Sequence, residues 1–273
     1  IYTGEDTLSL HDALPIYSID QGALQALVDN QQLVVADGGQ VFMTAKAANA
    51  LASAVVNNSG VVQARTVQER AGVIQLMGDM QTGTVNVAGT LDASAPQGGN
   101  GGFIETSAAN VKVAPGTRVT TAAPMGRTGT WLIDPNDYTI AASGGDIDGT
   151  TLGGQLGTSN ITIQSSSGAA AGNGDIFVHD NVSWAADTTL TLRAHRNIRI
   201  LADITGSGSG SKVALEALSA GAVAVLAKPK LGLKQHMEDS RREMIQTLKT
   251  AAKSRPRARQ ARIVFDHQEL LHD

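Results

Sequence analysis

The sequence predicts an all-β fold, a β-solenoid, over most of its length, and three observations predict it. Short β-prone runs such as Phe103-Ile104-Glu105-Thr106, Val111-Lys112-Val113 and Arg118-Val119-Thr120 are separated by Gly, Asn, Pro or Asp, the grammar of strand and turn. None of these runs carries the apolar spacing of a helix, and the turns recur too often for helices of about ten residues to fit. Aromatic residues make up 3% of the chain while glycine occurs 30 times, which starves a globular core of large side chains but supplies corners. A solenoid tolerates this, because each coil buries small Val, Ile, Leu and Ala side chains against its neighbours.

The elements follow in order. Residues 1–17 begin without Met and lack the basic, apolar, small-residue order of a signal peptide. Their string DTLSLHDALPI resembles the translation of a sequencing adapter, so they are set aside as a non-native or disordered leader, with a short capping helix or strand as the alternative. Residues 20–29 form a helix candidate, with Leu24, Leu27 and Val28 on one face and Asp20 as N-cap. Leu33-Val34-Val35-Ala36 and Val41-Phe42-Met43-Thr44 read as strands around the turn Asp37-Gly38-Gly39, and residues 46–54 as a short helix or irregular bridge.

From Val55 onward the strand runs tighten. Val61-Val62-Gln63-Ala64, Val73-Ile74-Gln75-Leu76, Thr84-Val85-Asn86-Val87 and Thr90-Leu91-Asp92-Ala93 each follow a glycine. Gly60, Gly72 and Gly83 are 12 and 11 residues apart, and Gly89 and Gly102 are separated by 13. Two such strand-turn units predict a coil of about 20–25 residues. Glycine suits these corners because positive φ there meets no Cβ clash. Trp131-Leu132-Ile133 ends in the turn Asp134-Pro135-Asn136-Asp137, and residues 138–174 become rich in Gly, Ser and Thr with short β-prone runs. Asp175-Ile176-Phe177-Val178, Thr189-Leu190-Thr191-Leu192 and Asn197-Ile198-Arg199-Ile200 are the next strands. Residues 206–210, Gly-Ser-Gly-Ser-Gly, read as a flexible linker.

Beyond the linker the grammar changes to a short α/β fragment. Residues 214–218 read as the end of a helix, 222–227 as a buried strand, Lys228-Pro229 as a break, and 235–253 as a helix carrying Met237, Met244, Ile245 and Leu248. Charge changes sign at the same place: residues 1–210 carry 9 basic and 18 acidic side chains, residues 211–273 carry 12 and 7. The domain reading is therefore leader 1–17, solenoid 18–210, α/β fragment 211–256 and disordered tail 257–273. An acidic body without a basic stripe argues against nucleic acid as a partner. With no cysteine, disulfides and thiolate chemistry are excluded. No apolar run approaches the length of a membrane span.

Two resemblances accompany this reading. The strings GGFIETSAANVKV, TTAAPMGRTGTWLIDPNDYTIAASGGDI, NITIQSSSGAAAGNGDIFV and SWAADTTLTLRAHRNIRI resemble the passenger of filamentous-haemagglutinin-family exoproteins, over about residues 18–212. The resemblance implies a right-handed parallel β-helix, secretion by the two-partner route to the bacterial cell surface, and an outer-membrane secretion partner for a longer parent. It also implies adhesion to a glycan or protein on a host or neighbouring cell. The string ALEALSAGAVAVLAKPKLGLKQHMEDSRREMIQTLKTAAKSRPRAR is similar to the receiver-domain tail and linker of a chemotaxis protein-glutamate methylesterase. Joined in one chain, the two resemblances imply a chimera.

The candidate chemistry is sparse. The second resemblance places Lys228 as a phosphate-contacting lysine with Pro229 after it, but the phosphoacceptor Asp and the acidic pocket have no counterpart. His11, His179, His195, His236, His267 and His272 show no metal-site spacing. Asp134, Asn136 and Asp137 share one turn, Asp146 and Asp148 another, and Asp175 and Asp180 flank a strand. Such residues favour local turn bonding, with calcium ligation or a glycan-cleaving carboxylate pair as the chemical alternatives. Asn57, Asn160 and Asn181 match the short glycosylation pattern, a match expected by accident in this composition. The basic stretch 249–262 lacks aromatic interleaving and reads as linker. The functional expectation is an adhesin stalk and adhesion surface, not an enzyme, with no catalytic, cofactor-binding or metal residue and no cofactor. A β-helical polysaccharide-cleaving enzyme is the alternative, as is a non-functional chimera carrying part of the methylesterase.

Overall fold

The computed structural model describes residues 8–9, 16–19, 25–46, 53–166, 172–217 and 264–265. Every pairing between its strands is parallel, and each strand lies beside one that follows a full circuit of the chain later. One sheet is β1 (Leu8–Ser9), β4 (Leu33–Val35), β7 (Val61–Gln63), β10 (Thr90–Asp92) and β13 (Arg118–Thr120). The longest is β2 (Ile16–Ile19), β5 (Gln40–Ala45), β8 (Val73–Met77), β11 (Phe103–Ser107), β14 (Thr130–Asp134), β16 (Asn160–Gln164), β19 (Thr189–Ala194) and β22 (Lys212–Ala217). The third is β3 (Gln25–Asn30), β6 (Ser53–Asn58), β9 (Thr84–Val87) and β12 (Asn110–Val113), followed by a separate sheet of β15 (Tyr138–Ile140), β17 (Ile176–Val178), β20 (Ile198–Ile200) and β23 (Val264–Phe265). A pair, β18 (Val182–Trp184) and β21 (Ile204–Gly206), completes the set. The predicted all-β class with parallel sheets is what the chain forms.

Alternation along each strand decides which side is buried. Register then stacks like on like: Val41, Ile74, Ile104, Trp131, Ile161 and Leu190 are successive partners in the longest sheet, and none is exposed. Val34, Val62, Leu91 and Val119 do the same in the first sheet. The one indole at this level, Trp131, satisfies its N–H by donating to Thr106 Oγ1 at 3.1 Å. Polar side chains inside are stacked too, as where Asn30 Nδ2 donates to Asn58 Oδ1 at 2.8 Å.

The circuit is longer than predicted and has three strands. Asn30 and Asn58 are 28 residues apart, Asn57 and Asn86 are 29, and Gln75 and Glu105 are 30. The late circuits shorten most, with Asp175 bonded to Asn197 22 residues on and Asp187 to Gly210 23 residues on.

A helix, α1 (Gly149–Leu156), stands where the first sheet would place its next strand, between β13 and β18. Asp148 caps it, accepting from Thr151 N–H at 2.7 Å. The open edge of β13 is satisfied by side chains. Gln155 Oε1 accepts from Val119 N–H at 2.7 Å while its Nε2 donates to Thr117 O at 2.7 Å, and Ser159 Oγ accepts from Thr121 N–H at 3.0 Å. One glutamine amide thus supplies the donor and acceptor that a peptide would have supplied. On the opposite side Gly149 and Gly153 let β18 approach: a Cβ at Gly153 would sit 2.3 Å from the Ser183 carbonyl oxygen. The third face is split by the segment around Asp146, whose N–H donates to Thr139 O and whose O accepts from Val113 N–H, both at 2.8 Å.

Several sequence expectations are corrected. Within the helix candidate 20–29, Gln25–Asn30 is strand β3, because its pairing with β6 outweighs a weak local apolar face. The 46–54 bridge gives way to β6 at Ser53, its central residues lying outside those described. The stretch 138–174 contains α1, which its Gly and Thr content hid. Residues 206–210 are no free linker: Ser207 N–H donates to Trp184 O at 2.9 Å and Gly210 N–H to Asp187 Oδ1 at 2.8 Å. The helix end read at 214–218 is strand β22, in register with β19 from Lys212 to Ala217. Leu8–Ser9 and Ile16–Ile19, inside or overlapping the leader, pair with β4 and β5, and Val264–Phe265 of the tail pairs with β20. The strand 222–227, Lys228-Pro229 and the helix 235–253 lie outside the described residues.

Candidate functional site

The acidic turn candidates gather along the end of β14 and the two circuits after it. Asp134 closes β14 opposite Ser107 of β11. Two residues back on β11 stands Glu105, which accepts from Gln75 Nε2 at 2.6 Å and Ser107 Oγ at 2.8 Å. Burial, then the negative charge of Glu105, push the Asp134 carboxyl up to about 6 against a smaller opposing effect of the Ser166 hydroxyl. Asp134 Oδ1 is shut off from solvent and meets no hydrogen-bond donor.

The rest of this turn is turned inward. Asn136 is 1% exposed, donating from Nδ2 to Met80 O at 3.1 Å. Asp137 Oδ1 accepts from Asn173 N–H at 2.9 Å and Asp175 N–H at 2.7 Å. Tyr138 is fully buried, and burial followed by the charge of Asp146 raises its hydroxyl well above the usual tyrosine range.

The other carboxylates each fix a backbone. Asp146 accepts from Thr139 N–H at 2.7 Å and pairs with Lys112 at 2.6 Å. Asp180 Oδ2 accepts from Gly149 N–H at 2.8 Å, locking the start of α1 to the next circuit. Asp175 binds Arg196 through both oxygens and accepts from Asn197 N–H and Nδ2, both at 3.0 Å. Burial pushes the Asp175 carboxyl up, but the bonds from Arg196 and Asn197 outweigh it and hold the group below the ordinary carboxylate range. Asp148 is likewise lowered, burial being outweighed by its bonds to Thr151. These side chains bind amides of their own or the adjacent circuit, and among the described residues no group of three or more His, Asp or Glu converges as a metal site would require.

Elsewhere, the His179 ring lies 5.8 Å from Phe177, tilted, and His195 N–H donates to Ser165 Oγ at 3.2 Å. Asn160 spends both ends of its amide on the neighbouring circuits, toward Gly129 O at 3.0 Å and Thr189 N–H at 3.0 Å. Asn57 accepts from Asn86 at 2.9 Å and Asn181 from Asp203 N–H at 2.9 Å. His11, His236, His267, His272 and the basic stretch 249–262 lie outside the described residues. Sequence reasoning missed Glu105. Its outward position in a strand was readable, but its proximity to Asp134 depends on the register between circuits.

Comparison with known proteins gives partial matches to protein-glutamate methylesterase/protein-glutamine glutaminases. The chain is 46% identical over 54 residues to protein-glutamate methylesterase/protein-glutamine glutaminase 2 of Xanthomonas euvesicatoria pv. vesicatoria, covering 20% of this chain and 15% of that protein. It is 49% identical over 53 residues to the corresponding protein 1 of Anaeromyxobacter dehalogenans, 19% of this chain and 15% of that one. With protein 2 of Albidiferax ferrireducens it shares 37% identity over 83 residues, 29% and 24% of the two chains. A methylesterase-like piece is therefore present, spanning between 15% and 24% of these relatives' own length. This finding runs against the expectation that the protein is not an enzyme, since the relatives it matches in part are named for two enzyme activities. No family model matches the chain. No solved structure matches it either.

Proposed function

We propose that the strand-built body is a β-solenoid segment of a secreted bacterial exoprotein, serving as stalk and adhesion surface at the cell exterior. The observation that supports this most is the in-register parallel pairing of each strand with one a circuit away, over an interior of small aliphatic side chains. Such a stack lengthens by adding circuits, so it reaches far from a membrane without a larger core, and its corner loops are free to vary. The resemblance of residues 18–212 to filamentous-haemagglutinin-family passengers points the same way. With it come right-handed winding, an outer-membrane secretion partner for the longer parent, and a surface glycan or protein of a host or neighbouring cell as ligand. Beads coated with the full chain, offered to a glycan array and to whole cells, should be retained on at least one glycan or cell type. Beads that bind neither, while circular dichroism reports intact strands, would remove the adhesion reading.

A second reading concerns a different stretch and is favoured by the relatives described above. We infer that the part of the chain after the body is the receiver-type end of a methylesterase/glutaminase, fused to exoprotein sequence, with Lys228 in the phosphate-contacting position. Amplification of source DNA across codons 206–218 should give one product of the expected size if the fusion is natural. Products from each side without a spanning product would make the join artificial.

A further inference from the structure

We propose that the Asp134–Pro135 peptide bond is a self-cleavage site of the folded chain, cut by the side-chain carboxyl of Asp134. Of the 7 prolines, Pro135 alone follows an aspartate. Its nitrogen belongs to a tertiary amide with no N–H, which is more basic than an ordinary peptide nitrogen and departs more readily once protonated. The carboxyl that attacks is attached to the same residue as the carbonyl under attack, so the reaction closes a five-membered ring without a search for a partner.

The surroundings favour this step. Ala108 N–H donates to the Asp134 main-chain oxygen at 3.3 Å and polarises the carbonyl as an oxyanion donor would. Ser166 N–H donates to the Pro135 oxygen at 2.9 Å, fixing the chain just beyond the bond. Oδ1 of Asp134 is buried with no donor to hold it back from its own carbonyl carbon. Burial, and then the negative charge of Glu105 on β11, favour the acid form of this carboxyl against a smaller opposing effect of the Ser166 hydroxyl. Asp137 follows in the same turn, where its Oδ1 is held by backbone N–H groups, and Arg193 of β19 contacts Gln164 at 3.3 Å, on the strand beyond. The carboxyl thus keeps its proton closer to neutrality than an ordinary aspartate, and one group supplies both acid and nucleophile.

In the step itself, the carboxyl proton passes to the Pro135 nitrogen and a carboxylate oxygen bonds to the Asp134 main-chain carbon. The carbon–nitrogen bond breaks, its electron pair leaving with the nitrogen as a secondary amine. Asp134 is left as a cyclic anhydride, and one water opens it to two carboxyl groups. The cut falls between β14 and β15, leaving the ladders β14–β16 and β15–β17 intact, so the two pieces stay together.

The test follows the purified full chain by intact mass at about pH 5.5, folded and in concentrated urea. Fragments 1–134 and 135–273 should accumulate at least about tenfold faster from the folded chain than from the unfolded one, while native size is unchanged. Asp134→Ala should abolish the cut. Glu105→Gln, which keeps the nucleophile, should move the pH profile of cleavage downward. A cut at another bond, an equal rate in urea, or cleavage that persists in Asp134→Ala would overturn the assignment. The urea comparison decides the matter even if a variant fails to fold.

Discussion

The circuits through residues 53–134 and those through 135–206 solve the same stacking problem in different ways. In the first region each face offers a strand to the strand below, and the ladder satisfies nearly every backbone group by repetition. In the second, α1 replaces a strand and the Asp146 segment wedges into the third face. Continuity there passes to side chains: Gln155 acts as a peptide, Asp180 and Asp148 hold the helix start, and Asp175 ties Arg196 and Asn197 to its own turn. A repeating ladder tolerates a missing strand when the donors and acceptors of the exposed edge are matched one by one.

The contrast predicts where substitutions are costly. Trp131→Ala, in the regular region, should lower stability by about 3–5 kcal/mol in urea unfolding, since it opens a large cavity and orphans the Thr106 bond. A cost below about 1 kcal/mol would show that the regular circuits are loosely packed. In the irregular region neighbouring glycines should part company. Gly153→Ala, aimed at the Ser183 oxygen, should cost about 1–3 kcal/mol, whereas Gly154→Ala meets no atom within 4 Å and should be neutral or stabilising by up to about 1 kcal/mol. Equal effects would contradict the close approach of β18.

The smallest effect separates two carboxylates. Asp134 is raised in the fold, so it favours folding in its protonated form, and stability falls as pH rises from its unfolded value of 3.8 through about 6. Asp134→Asn should therefore stabilise at neutral pH by about 1 kcal/mol, allowing for solvent screening, and the gain should vanish near pH 4. Asp175 has the opposite sign, contributing stability at neutral pH that is lost in acid. A flat pH profile for the Asp134→Asn difference would refute the raised value.

Much of this fold was legible because strand runs and turn residues are local signals. The period was misjudged because two strand-turn units were allotted to a coil and the circuit contains three. A Cβ at Gly89 would strike Gly60 O, and one at Gly102 would strike Gly72 O, so the true repeat joins every third glycine of the series Gly60, Gly72, Gly83, Gly89 and Gly102. The helix was hidden by a sequence, GTTLGGQL, whose glycines serve packing rather than propensity. An Asp148 N-cap with Thr151 was its one readable mark. Of the candidate site, the acidic turns were visible in composition, but their amide partners lie one circuit away and could not be assigned without register.

The direction of the inter-strand bonds has a mechanical consequence. They run along the stack, so tension applied from end to end loads them in opening rather than in shear, and circuits peel away singly. Each detached circuit of 28 residues replaces a layer about 4.8 Å thick with up to about 95 Å of extended chain. Under load such a stack of parallel strands should lengthen in discrete steps, dissipating force while the circuits behind the break stay folded.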